Sequence, residues 1–426
     1  MQSPGPEGCT NHFTIHMGAK RLADTDPFRE GFIAKAAGVR VAKGTDGMKV
    51  LVLVPPMENA GGIQRYSATL VRALNEIVND WDVKMLAIQR PQSKRIGEQT
   101  GLGLRVKSRF VLQTLWGAAY WKPDLVICTH VGLAPIGWLL RALWQCSYWV
   151  AAHGIEVWGT LSFEKQSALR KADKVLAVSA FTSKRLIERH LISPEQITIL
   201  PNALNDSLLN IPPRKEFLAP LNINGRRVIL TVGRLASSER YKGHDTVIRA
   251  LVRVRMCIPD VVYVIVGDGD DRDRLAALIQ RLGVQDQVVF AGRACDEDLV
   301  ACYQTCGVFV LPAKTVLDDN TPGGEGFGIV FLEAMAFGKP VIGPNYGAPS
   351  EFIRHGEHGL LVDPEDPEAV AQALIQLLTS PERAHQMGES ARQLVISEYS
   401  YERFRERLHQ LLTNHISDGR QKLCVS

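Results

Sequence analysis

The chain has 426 residues, which is too long for one ordinary hydrophobic core, so we expect two domains. Hydrophobic residues make up 46% of the sequence and charged residues 22%, as in a soluble globular enzyme. The net charge of +4 is too small to indicate a nucleic-acid-binding protein, although it is compatible with a local basic surface.

The cysteine pattern indicates neither a disulfide framework nor a metal site. The eight cysteines include no CxxC pair. Cys302 and Cys306 lie one helical turn apart and could hold a metal, but two small buried side chains on a helix explain this spacing better. Because nothing in the pattern demands an oxidising compartment, we expect a cytoplasmic protein.

Two further segments bear on localisation. Residues 1–47 lack both the apolar run of a signal peptide and a sustained periodicity, so we expect a poorly ordered extension. The apolar stretch 131–150 is long enough to cross a bilayer, but Arg141 interrupts it and Pro135 lies near its start. We interpret it as a short helix at 136–143 followed by a buried strand at 147–152.

From residue 48 the sequence alternates between apolar runs and stretches with helical spacing. Runs of strand length occupy 49–54, 83–88, 124–129, 147–152, 174–178 and 197–200. Helical spacing separates most of them, for example at 63–78. Short apolar strands separated by helices predict a parallel sheet covered on both faces.

The alternation stops at about 206–226, where prolines and polar residues predict a linker, and then resumes. The later strands are predicted at 228–233, 261–267, 287–292, 307–312, 340–343 and 359–362. The fold class is therefore α/β, with two doubly wound parallel-sheet (Rossmann-like) domains at 48–205 and 227–400 that face a cleft. Because ligands bind beyond the carboxyl ends of strands in such sheets, residues directly after strands are candidate site residues.

Candidate residues follow two strands of the first domain. Gly61 and Gly62 precede a helix whose free N–H groups and positive end could face an anion. The sequence there is not the Gly-x-Gly-x-x-Gly dinucleotide turn, and no Walker-type phosphate loop occurs in the chain, which disfavours nicotinamide and ATP-hydrolysis chemistry. His153 follows the fourth strand and could either donate a hydrogen bond to a substrate hydroxyl or be structural.

The first strand of the second domain leads to a pair of cations. Arg234 lies at the strand end, and Lys242 follows eight residues later, just before a helix. Two permanent cations suit a diphosphate, because they stabilise the charge that grows on a leaving phosphate. The alternative is a pair of solvated surface cations.

Two acidic stretches, VGDGDD at 266–271 and LDDN at 317–320, could suggest metal binding. We interpret Asp268 and Gly269 as a strand-to-helix turn, with Asp270 and Asp271 at the N-terminus of the helix that follows. We therefore expect no metal site and no cofactor.

The stretch TPGGEGFGIVFLEAMAFGKPVIG at 321–343 contains four glycines within six positions, around Glu325. A helix is expected to begin near Ile329, so glycines and a helix N-terminus together could bind a phosphate. Glu325 in the loop can accept hydrogen bonds from sugar hydroxyls, and Glu333 in the helix can accept both hydroxyls of a ribose. A general acid–base pair is a poorer explanation, because one acid is in a loop and the other in a helix.

The E-x7-E spacing in EGFGIVFLE, followed by AMAFGKPVI, resembles the signature of retaining glycosyltransferases of family 4, which have the GT-B fold. Further landmarks agree in order: GGIQRY, HGIEVW, KADKVLAVSAFTSKRL, ILPNAL, VGRL with KGHD, and IVGDGDDRDRL. The likeness spans about 48–416. It departs at Ala203, where the family has glycine, and alanine tolerates a positive φ poorly.

The resemblance implies a role for each matching residue. The set expected at the catalytic centre is His153, Arg234, Lys242 and Glu325. The set expected to bind the donor is Gly61, Gly62, Arg293, Gly326, Phe327, Gly328, Ile329 and Glu333. The two cations would bind the diphosphate, Glu325 the sugar, Glu333 the ribose and His153 the sugar near its reacting carbon, and we expect Arg293 near the base.

The resemblance also implies catalysis with retained anomeric configuration and no bound metal. The leaving phosphate would assist the acceptor hydroxyl on the same face of the sugar. The last helix, 401–416, would return to the first domain. GDP-mannose and UDP-hexoses both suit these motifs as nucleotide-sugar donors.

The acceptor, a glycan or a lipid-linked glycan, is expected on the first domain. Residues 90–109 carry six Lys or Arg against one Glu, and the following stretch, 110–122, contains Trp116, Tyr120 and Trp121. This pattern suits peripheral contact with an anionic membrane during surface polysaccharide assembly, but a solvated loop and a core helix explain it equally well.

Two other kinds of function remain open on the sequence. One is a sugar-nucleotide epimerase or phosphorylase, although no lysine context indicates the pyridoxal phosphate that a phosphorylase needs. The other is a nucleotide-sugar-binding protein without activity. The intact set of candidate residues argues against the second.

Overall fold

The computed structural model describes residues 47–57, 61–77, 81–89 and 103–425, with side chains as far as residue 417. Residues 1–46 of the extension predicted at 1–47 lie outside the described residues, and so does most of the basic run, 90–102.

The chain divides into two compact units, which are described in turn. The N-terminal unit contains the described residues up to Ala203, the short segment Leu317–Pro322 and the helix that begins at Tyr401. The C-terminal unit contains Leu204–Val316 and Gly323–Ser400.

In the part of the chain that the structure describes, twelve strands form, and each end agrees with the predicted one to within two residues. They are β1 (Lys49–Val54), β2 (Asp82–Ala87), β3 (Leu125–Cys128), β4 (Ser147–Ala152), β5 (Lys174–Ala177), β6 (Ile197–Ile199), β7 (Arg227–Val232), β8 (Val261–Val266), β9 (Val288–Gly292), β10 (Val308–Val310), β11 (Val341–Pro344) and β12 (Gly359–Val362).

The helices occupy the intervals between strands. They are α1 (Gly62–Ile77), α2 (Leu104–Trp121), α3 (Ala134–Trp144), α4 (Ile155–Trp158), α5 (Phe163–Arg170), α6 (Ala180–His190), α7 (His244–Cys257), α8 (Arg272–Leu282), α9 (Asp296–Thr305), α10 (Ile329–Ala336), α11 (Pro367–Thr379), α12 (Pro381–Glu398) and α13 (Tyr401–Val425). Short 3-10 helices lie at Val131–Leu133, Pro194–Gln196, Asp206–Asn210, Lys215–Leu221, Ser237–Lys242, Gln285–Gln287 and Ala348–Glu351.

The described residues of each unit form one six-stranded sheet, in which all neighbouring strands are parallel. The strand order is β2-β1-β3-β4-β5-β6 in the N-terminal unit and β12-β11-β10-β7-β8-β9 in the C-terminal unit. In both sheets the first strand of the unit lies inside the sheet, and the chain adds strands first on one side of it and then on the other. Such a reversal of strand order creates the crevice where ligands bind in doubly wound proteins.

The central strands of both sheets are apolar and buried, as expected for sheets covered by helices on both faces. The residues Val50–Val54 of β1 and all six residues of β8 are buried. Burying one such Val, Leu or Ile side chain stabilises the fold by about 1.5–3 kcal/mol. The predicted doubly wound α/β architecture is confirmed for each unit.

The apolar stretch at 131–150 forms α3 and β4, as predicted, and its strand is fully internal to the first sheet. Across the ranges given above, no helix has both the length and the apolar character needed to cross a membrane.

The segment predicted as a linker is ordered against the C-terminal unit. Arg214 donates two hydrogen bonds to the carboxylate of Asp298 on α9, at 2.6 and 2.7 Å. The backbone N–H of Arg214 also bonds to the carbonyl of Glu297. A bidentate pair with a buried carboxylate fixes this segment, so its prolines and polar residues mark a change of unit rather than a free tether.

The last helix packs on the N-terminal unit, as expected for 401–416. The Tyr401 hydroxyl donates to the Glu76 carboxylate of α1 at 2.7 Å, and the Arg72 guanidinium lies 3.7 Å from the centre of the Tyr401 ring. Phe404 is fully buried and contacts the ring of Tyr66. These contacts make α13 part of the N-terminal unit.

The departure at Ala203 does not strain the turn. Within the described ranges the non-glycine residues with positive φ are Lys122, Gln145, Leu191 and Asn222, so Ala203 keeps a backbone that alanine adopts without cost. The next residue, Leu204, donates its N–H to the carbonyl of Tyr399 at 2.8 Å.

Candidate functional site

The candidate residues of the C-terminal unit gather at the carboxyl edge of its sheet. Arg234 follows β7, Asp268 follows β8, Arg293 follows β9 and the glycine-rich loop comes after β10. These four strands are consecutive in the sheet, in the order β10-β7-β8-β9, so the loops after them are neighbours. The fold therefore assembles one site from four separate parts of the sequence.

The centre of this edge is a set of four charged side chains, which we call the charge cluster: Arg234, Glu239, Lys242 and Glu325. The Lys242 ammonium pairs with Glu325, and it lies 3.8 Å from the second carboxylate, that of Glu239. Glu239 in turn pairs with the Arg234 guanidinium. The cluster contains two cations and two carboxylates, so its formal charges cancel.

Burial differs sharply among the members of the cluster. The side chain of Lys242 is 12% exposed and that of Glu325 is 15% exposed, whereas Arg234 is 71% exposed. The Lys242 stem packs beside Gly233, where a Cβ atom would lie 3.3 Å from its Cδ. Lys242 is thus held in place by packing, and Arg234 is free to reorient. The alternative of two solvated surface cations is wrong for Lys242.

The turn after β8 has the structural role that its sequence predicts. Gly267 has φ +140°, and a Cβ there would lie 1.9 Å from the Gly233 carbonyl oxygen, so only glycine permits the two strand ends to approach. Asp270 and Asp271 lie at the N-terminus of α8 as expected, with Asp271 at the N-cap, but the Asp271 side chain makes no capping hydrogen bond. Asp270 accepts from Ser237, and Asp271 pairs with Arg240 and Arg274, so both carboxylates hold the segment that carries Glu239.

The glycine-rich loop leads into α10 as expected. The helix begins at Ile329, and Gly328 occupies its N-cap with φ +91° and no side-chain cap. A Cβ at Gly328 would lie 2.7 Å from the Phe331 ring. The first turn thus carries no acidic side chain and no capping oxygen, which leaves its positive end suited to an anion. Gly326 and Phe327 lie in the loop just before it.

Glu333 lies within α10, but its side chain is 1% exposed. Its carboxylate accepts a hydrogen bond from the Tyr303 hydroxyl of α9 at 2.8 Å. Tyr303 stacks on Phe337, which fixes the phenol. Contact with a ribose remains a prediction, and it would need this carboxylate to keep a lone pair for the ligand beside the bond from Tyr303.

Arg293 projects from the end of β9 with 79% of its side chain exposed. Its guanidinium lies 3.7 Å from the Asp268 carboxylate. This position at the sheet edge leaves the guanidinium accessible, and its predicted place near the base of the donor stays a prediction.

His153 of the N-terminal unit follows β4 and is 9% exposed. Its Nε2 lies 2.7 Å from the Thr129 carbonyl oxygen, which only accepts, so Nε2 carries the proton. A neutral ring then has its lone pair on Nδ1. The neutral side chain can therefore accept a hydrogen bond from a hydroxyl at Nδ1 but cannot donate one there, and contact with a substrate hydroxyl stays a prediction.

Several groups hold His153 in this orientation. Its backbone N–H donates to Glu156 at 2.5 Å, and its ring meets the Tyr66 ring edge-on at 4.9 Å between centroids. The Tyr66 hydroxyl is buried and has no hydrogen-bond partner among the described residues. Burial raises the pKa of Tyr66 far above its usual value, so this hydroxyl stays protonated.

Gly61 and Gly62 lie where expected, at the start of α1. Gly62 is its first residue, and the first turn contains no acidic side chain. Gly61 is closely approached by Gln64, whose amide bonds to the Pro56 carbonyl at 3.0 Å. The helix end is compatible with an anion, and contact with donor phosphates remains a prediction.

Comparison with known proteins identifies the family. A model of family "Glycosyltransferase Family 4" matches residues 60–208, and a model of "Glycosyl transferases group 1" matches residues 213–394. A GDP-mannose-dependent alpha-(1-6)-phosphatidylinositol monomannoside mannosyltransferase of Mycobacterium tuberculosis is 31% identical over 307 residues, which are 71% of this chain and 76% of that protein. The chain belongs to glycosyltransferase family 4.

Solved structures agree with this family-4 assignment at the level of the fold. Sucrose-phosphate synthase of Thermosynechococcus elongatus superposes with a TM-score of 0.71 at 23% identity and covers 87% of this chain and 100% of that one. HepE of Anabaena, solved with UDP and glucose, gives a TM-score of 0.68 at 19% identity, covering 86% and 100%. The fold of the family-4 chain is GT-B, and the enzyme is a hexosyltransferase.

Sequence reasoning missed two side chains of the site in this family-4 enzyme. Glu239 was overlooked because an acid in a polar loop usually faces solvent, and only the fold shows it between two cations. Tyr303 was overlooked because it precedes Glu333 by 30 residues and lies on a different helix. No sequence motif predicts the contact of Glu239 with the two cations or the contact of Tyr303 with Glu333. A carboxylate three residues before Lys242 was the one available signal for the first.

The acidic stretches carry no metal site in the part of the chain that the structure describes. No group of three or more His, Cys, Asp or Glu side chains is placed there to hold an ion. The carboxylate of Asp318 instead accepts from the backbone of Asn320 and Thr321, which closes a turn.

Proposed function

We propose that this enzyme transfers a hexose from a nucleotide sugar to a lipid-linked glycan or lipid acceptor, with retention of the anomeric configuration. GDP-mannose is the first candidate donor, because the mycobacterial relative that is 31% identical to this chain is named as a GDP-mannose-dependent enzyme. A UDP-hexose is the second candidate, since the same cation pair accepts any nucleoside diphosphate. The observation that carries the proposal is Lys242, which is only 12% exposed and pairs with Glu325 in the loop that precedes α10.

The chemistry proposed for the charge cluster follows from its placement. As the bond between the anomeric carbon and the phosphate oxygen breaks, negative charge accumulates on the diphosphate. Lys242 and Arg234 would stabilise that charge, and the N–H groups at the start of α10 would add to it. A positioned donor of this kind typically contributes about 3–4 kcal/mol to transition-state stabilisation.

The remaining residues would bind the sugar. Glu325 offers carboxylate oxygens to its hydroxyls from the loop, next to the backbone of Gly326, Phe327 and Gly328. His153 would accept from a sugar hydroxyl at Nδ1. The acceptor hydroxyl would attack the anomeric carbon on the face from which the phosphate leaves, and its proton would pass to a phosphate oxygen of the departing diphosphate.

No protein-bound metal is proposed for this reaction. The positive charge that a divalent ion supplies in other transferases would come from Arg234, Lys242 and the helix N-terminus. The acids nearest to them, Glu239 and Glu325, are already paired with these cations.

The acceptor proposal rests on the outer face of α2 in the N-terminal unit. Leu112, Trp116 and Tyr120 recur at helical spacing and are 66%, 58% and 71% exposed. Arg105 and Arg109 precede them on the same face and are also exposed. Large apolar side chains next to cations suit an anionic membrane surface, where a lipid-linked acceptor is embedded.

Trp121 does not belong to this membrane-facing set, contrary to expectation. It is 7% exposed, and its indole N–H donates to Asp82 at 2.8 Å. One face of α2 therefore packs on the core, and the other is exposed and available for the proposed membrane contact. Surface polysaccharide assembly is one process that would use such a lipid-linked acceptor on the cytoplasmic side of a membrane.

The experiment that tests the function combines binding with transfer. A thermal-shift series with GDP-mannose, GDP-glucose, UDP-glucose, UDP-galactose and UDP-N-acetylglucosamine should single out one donor by a raised unfolding midpoint. Incubation with that donor and a lipid extract should then yield a glycosylated lipid detectable by mass spectrometry. Failure of all nucleotide sugars to raise the midpoint or to be consumed would refute the proposed function.

A further inference from the structure

Glu239 lies between Arg234 and Lys242, the two cations that the proposed function assigns to binding the diphosphate. One of its carboxylate oxygens pairs with Arg234. The other lies 3.8 Å from the Lys242 ammonium, and it is buried without a hydrogen-bond partner among the described residues. The side chain is 12% exposed, so water screens these interactions poorly.

The backbone directs Glu239 to this place. It interrupts the 3-10 helix Ser237–Lys242 with φ −119° and ψ 28°, outside helical values. The neighbouring Ser237 and Arg240 are tied to Asp270 and Asp271 after β8. A carboxylate held this firmly between two cations is part of the construction of the site rather than a surface acid.

The electrostatic consequence is a competition. Each cation of the cluster already has a carboxylate partner, so an incoming diphosphate gains the cations only by displacing those partners. Arg234 is the partner that can move, because 71% of its side chain is exposed. A carboxylate that stays behind also repels the phosphates.

We propose that Glu239 is a built-in counter-ion that competes with the diphosphate for Arg234 and Lys242 and so promotes release of the nucleoside diphosphate product. This role rests on the proposed function, because it requires the diphosphate to bind at these cations. In this role Glu239 lowers the affinity of the site for the nucleoside diphosphate product. It lowers the affinity for the nucleotide-sugar donor as well, because the donor carries the same diphosphate. Glu239 acts through the two cations and is therefore a positioning residue.

The test is Glu239→Gln, which keeps the shape of the side chain and removes its charge. Binding of GDP, UDP, guanosine and uridine is measured by titration calorimetry with wild type and variant. Removing one negative charge a few ångströms from the diphosphate should tighten binding of the preferred diphosphate roughly tenfold, with a smaller effect at high salt. The corresponding nucleoside should bind equally to both proteins.

Two further variants make the result specific. Asp298→Asn removes a buried carboxylate paired with Arg214 outside the cluster, and it should leave diphosphate affinity unchanged. Glu239→Asp keeps the charge but withdraws it by one methylene, and it should tighten diphosphate binding by a smaller factor than Glu239→Gln.

The outcomes separate this inference from the function on which it rests. Wild-type binding of a diphosphate together with equal or weaker binding by both Glu239 variants would overturn the counter-ion role and leave the proposed function standing. If wild type binds neither GDP nor UDP, both proposals are overturned. Tighter product binding with a lower kcat in Glu239→Gln would support the role in release, which a merely structural side chain would not produce.

Discussion

Replacement of Lys242 by methionine tests the charge cluster most sharply. Methionine keeps the length and apolar character of the stem beside Gly233 and removes the ammonium. Glu325 then loses its paired cation, and the cluster keeps one cation, Arg234, against two carboxylates. The variant therefore removes one of the two cations proposed to bind the diphosphate. It also removes the ion pair that positions Glu325, which is proposed to bind the sugar.

The structure sets the size of both effects. Losing one preorganised positive group at a leaving phosphate should lower kcat about 10²–10³-fold. Glu325 is 15% exposed, so leaving its carboxylate without the ammonium should also lower the free energy of unfolding, by about 1–3 kcal/mol. A protein of this size retains its fold after such a loss.

Initial rates of release of the nucleoside diphosphate, measured with the preferred donor and acceptor, give the catalytic effect, and urea unfolding gives the stability. Lys339→Met is the matched control. That lysine lies beyond the C-terminal end of α10 and donates to the Gln304 carbonyl at 2.9 Å, so its loss should leave kcat within about twofold. Equal rates for wild type and Lys242→Met would refute the assignment of the cations to the diphosphate.

Three further predictions concern metal, membrane and pH. Treatment with EDTA should leave transfer largely unchanged, and abolition of transfer that Mg²⁺ or Mn²⁺ restores would refute catalysis without a bound metal. Trp116→Ser combined with Tyr120→Ser should reduce flotation of the protein with liposomes containing anionic lipid at low salt. The control Met256→Ser, at a position 71% exposed on α7, should not change flotation. Equal flotation of wild type, the double variant and the control would remove the α2 face from the proposal. Burial and the nearby Lys242 lower the pKa of His244 to about 4, so the unfolded chain binds the proton first and stability should fall as the pH drops from about 6.5 to 4. His244→Gln should flatten this slope in unfolding midpoints measured across that range, while an unchanged slope would contradict the assignment.

The sheets were predictable because each strand is a short apolar run between helical stretches. The residues Val50–Val54 are all apolar, so they do not alternate between core-facing and solvent-facing positions. This pattern predicts a strand that is covered on both faces. The same reasoning resolved 131–150 into α3 and β4, since Arg141 could not remain in a bilayer. At β1 and at 131–150 the local sequence pattern and the tertiary packing favour the same secondary structure.

The site was predictable only where a residue follows a strand or begins a helix. Arg234, Lys242 and the start of α10 were found in this way. The partners of these residues were not, because a contact such as Tyr303 with Glu333 depends on how two helices pack. Trp121 shows the same limit, since α2 turns it inward while Trp116 and Tyr120 face outward.

His153 illustrates a further limit, which concerns protons. The sequence places the ring after β4, but the direction of its hydrogen bond depends on the Thr129 carbonyl, 2.7 Å away. That carbonyl belongs to the neighbouring strand connection and fixes the tautomer. Predicting a histidine at a site is therefore possible from the pattern, whereas predicting whether it donates or accepts requires the fold.

The most direct measurement of the central claim is a crystal structure of the protein soaked with its preferred nucleotide sugar. The account expects the diphosphate within hydrogen-bonding distance of the Arg234 and Lys242 side chains and of the N–H groups at the start of α10, with Glu325 on the sugar. A nucleotide sugar bound elsewhere, with Lys242 still paired to Glu325, would contradict it.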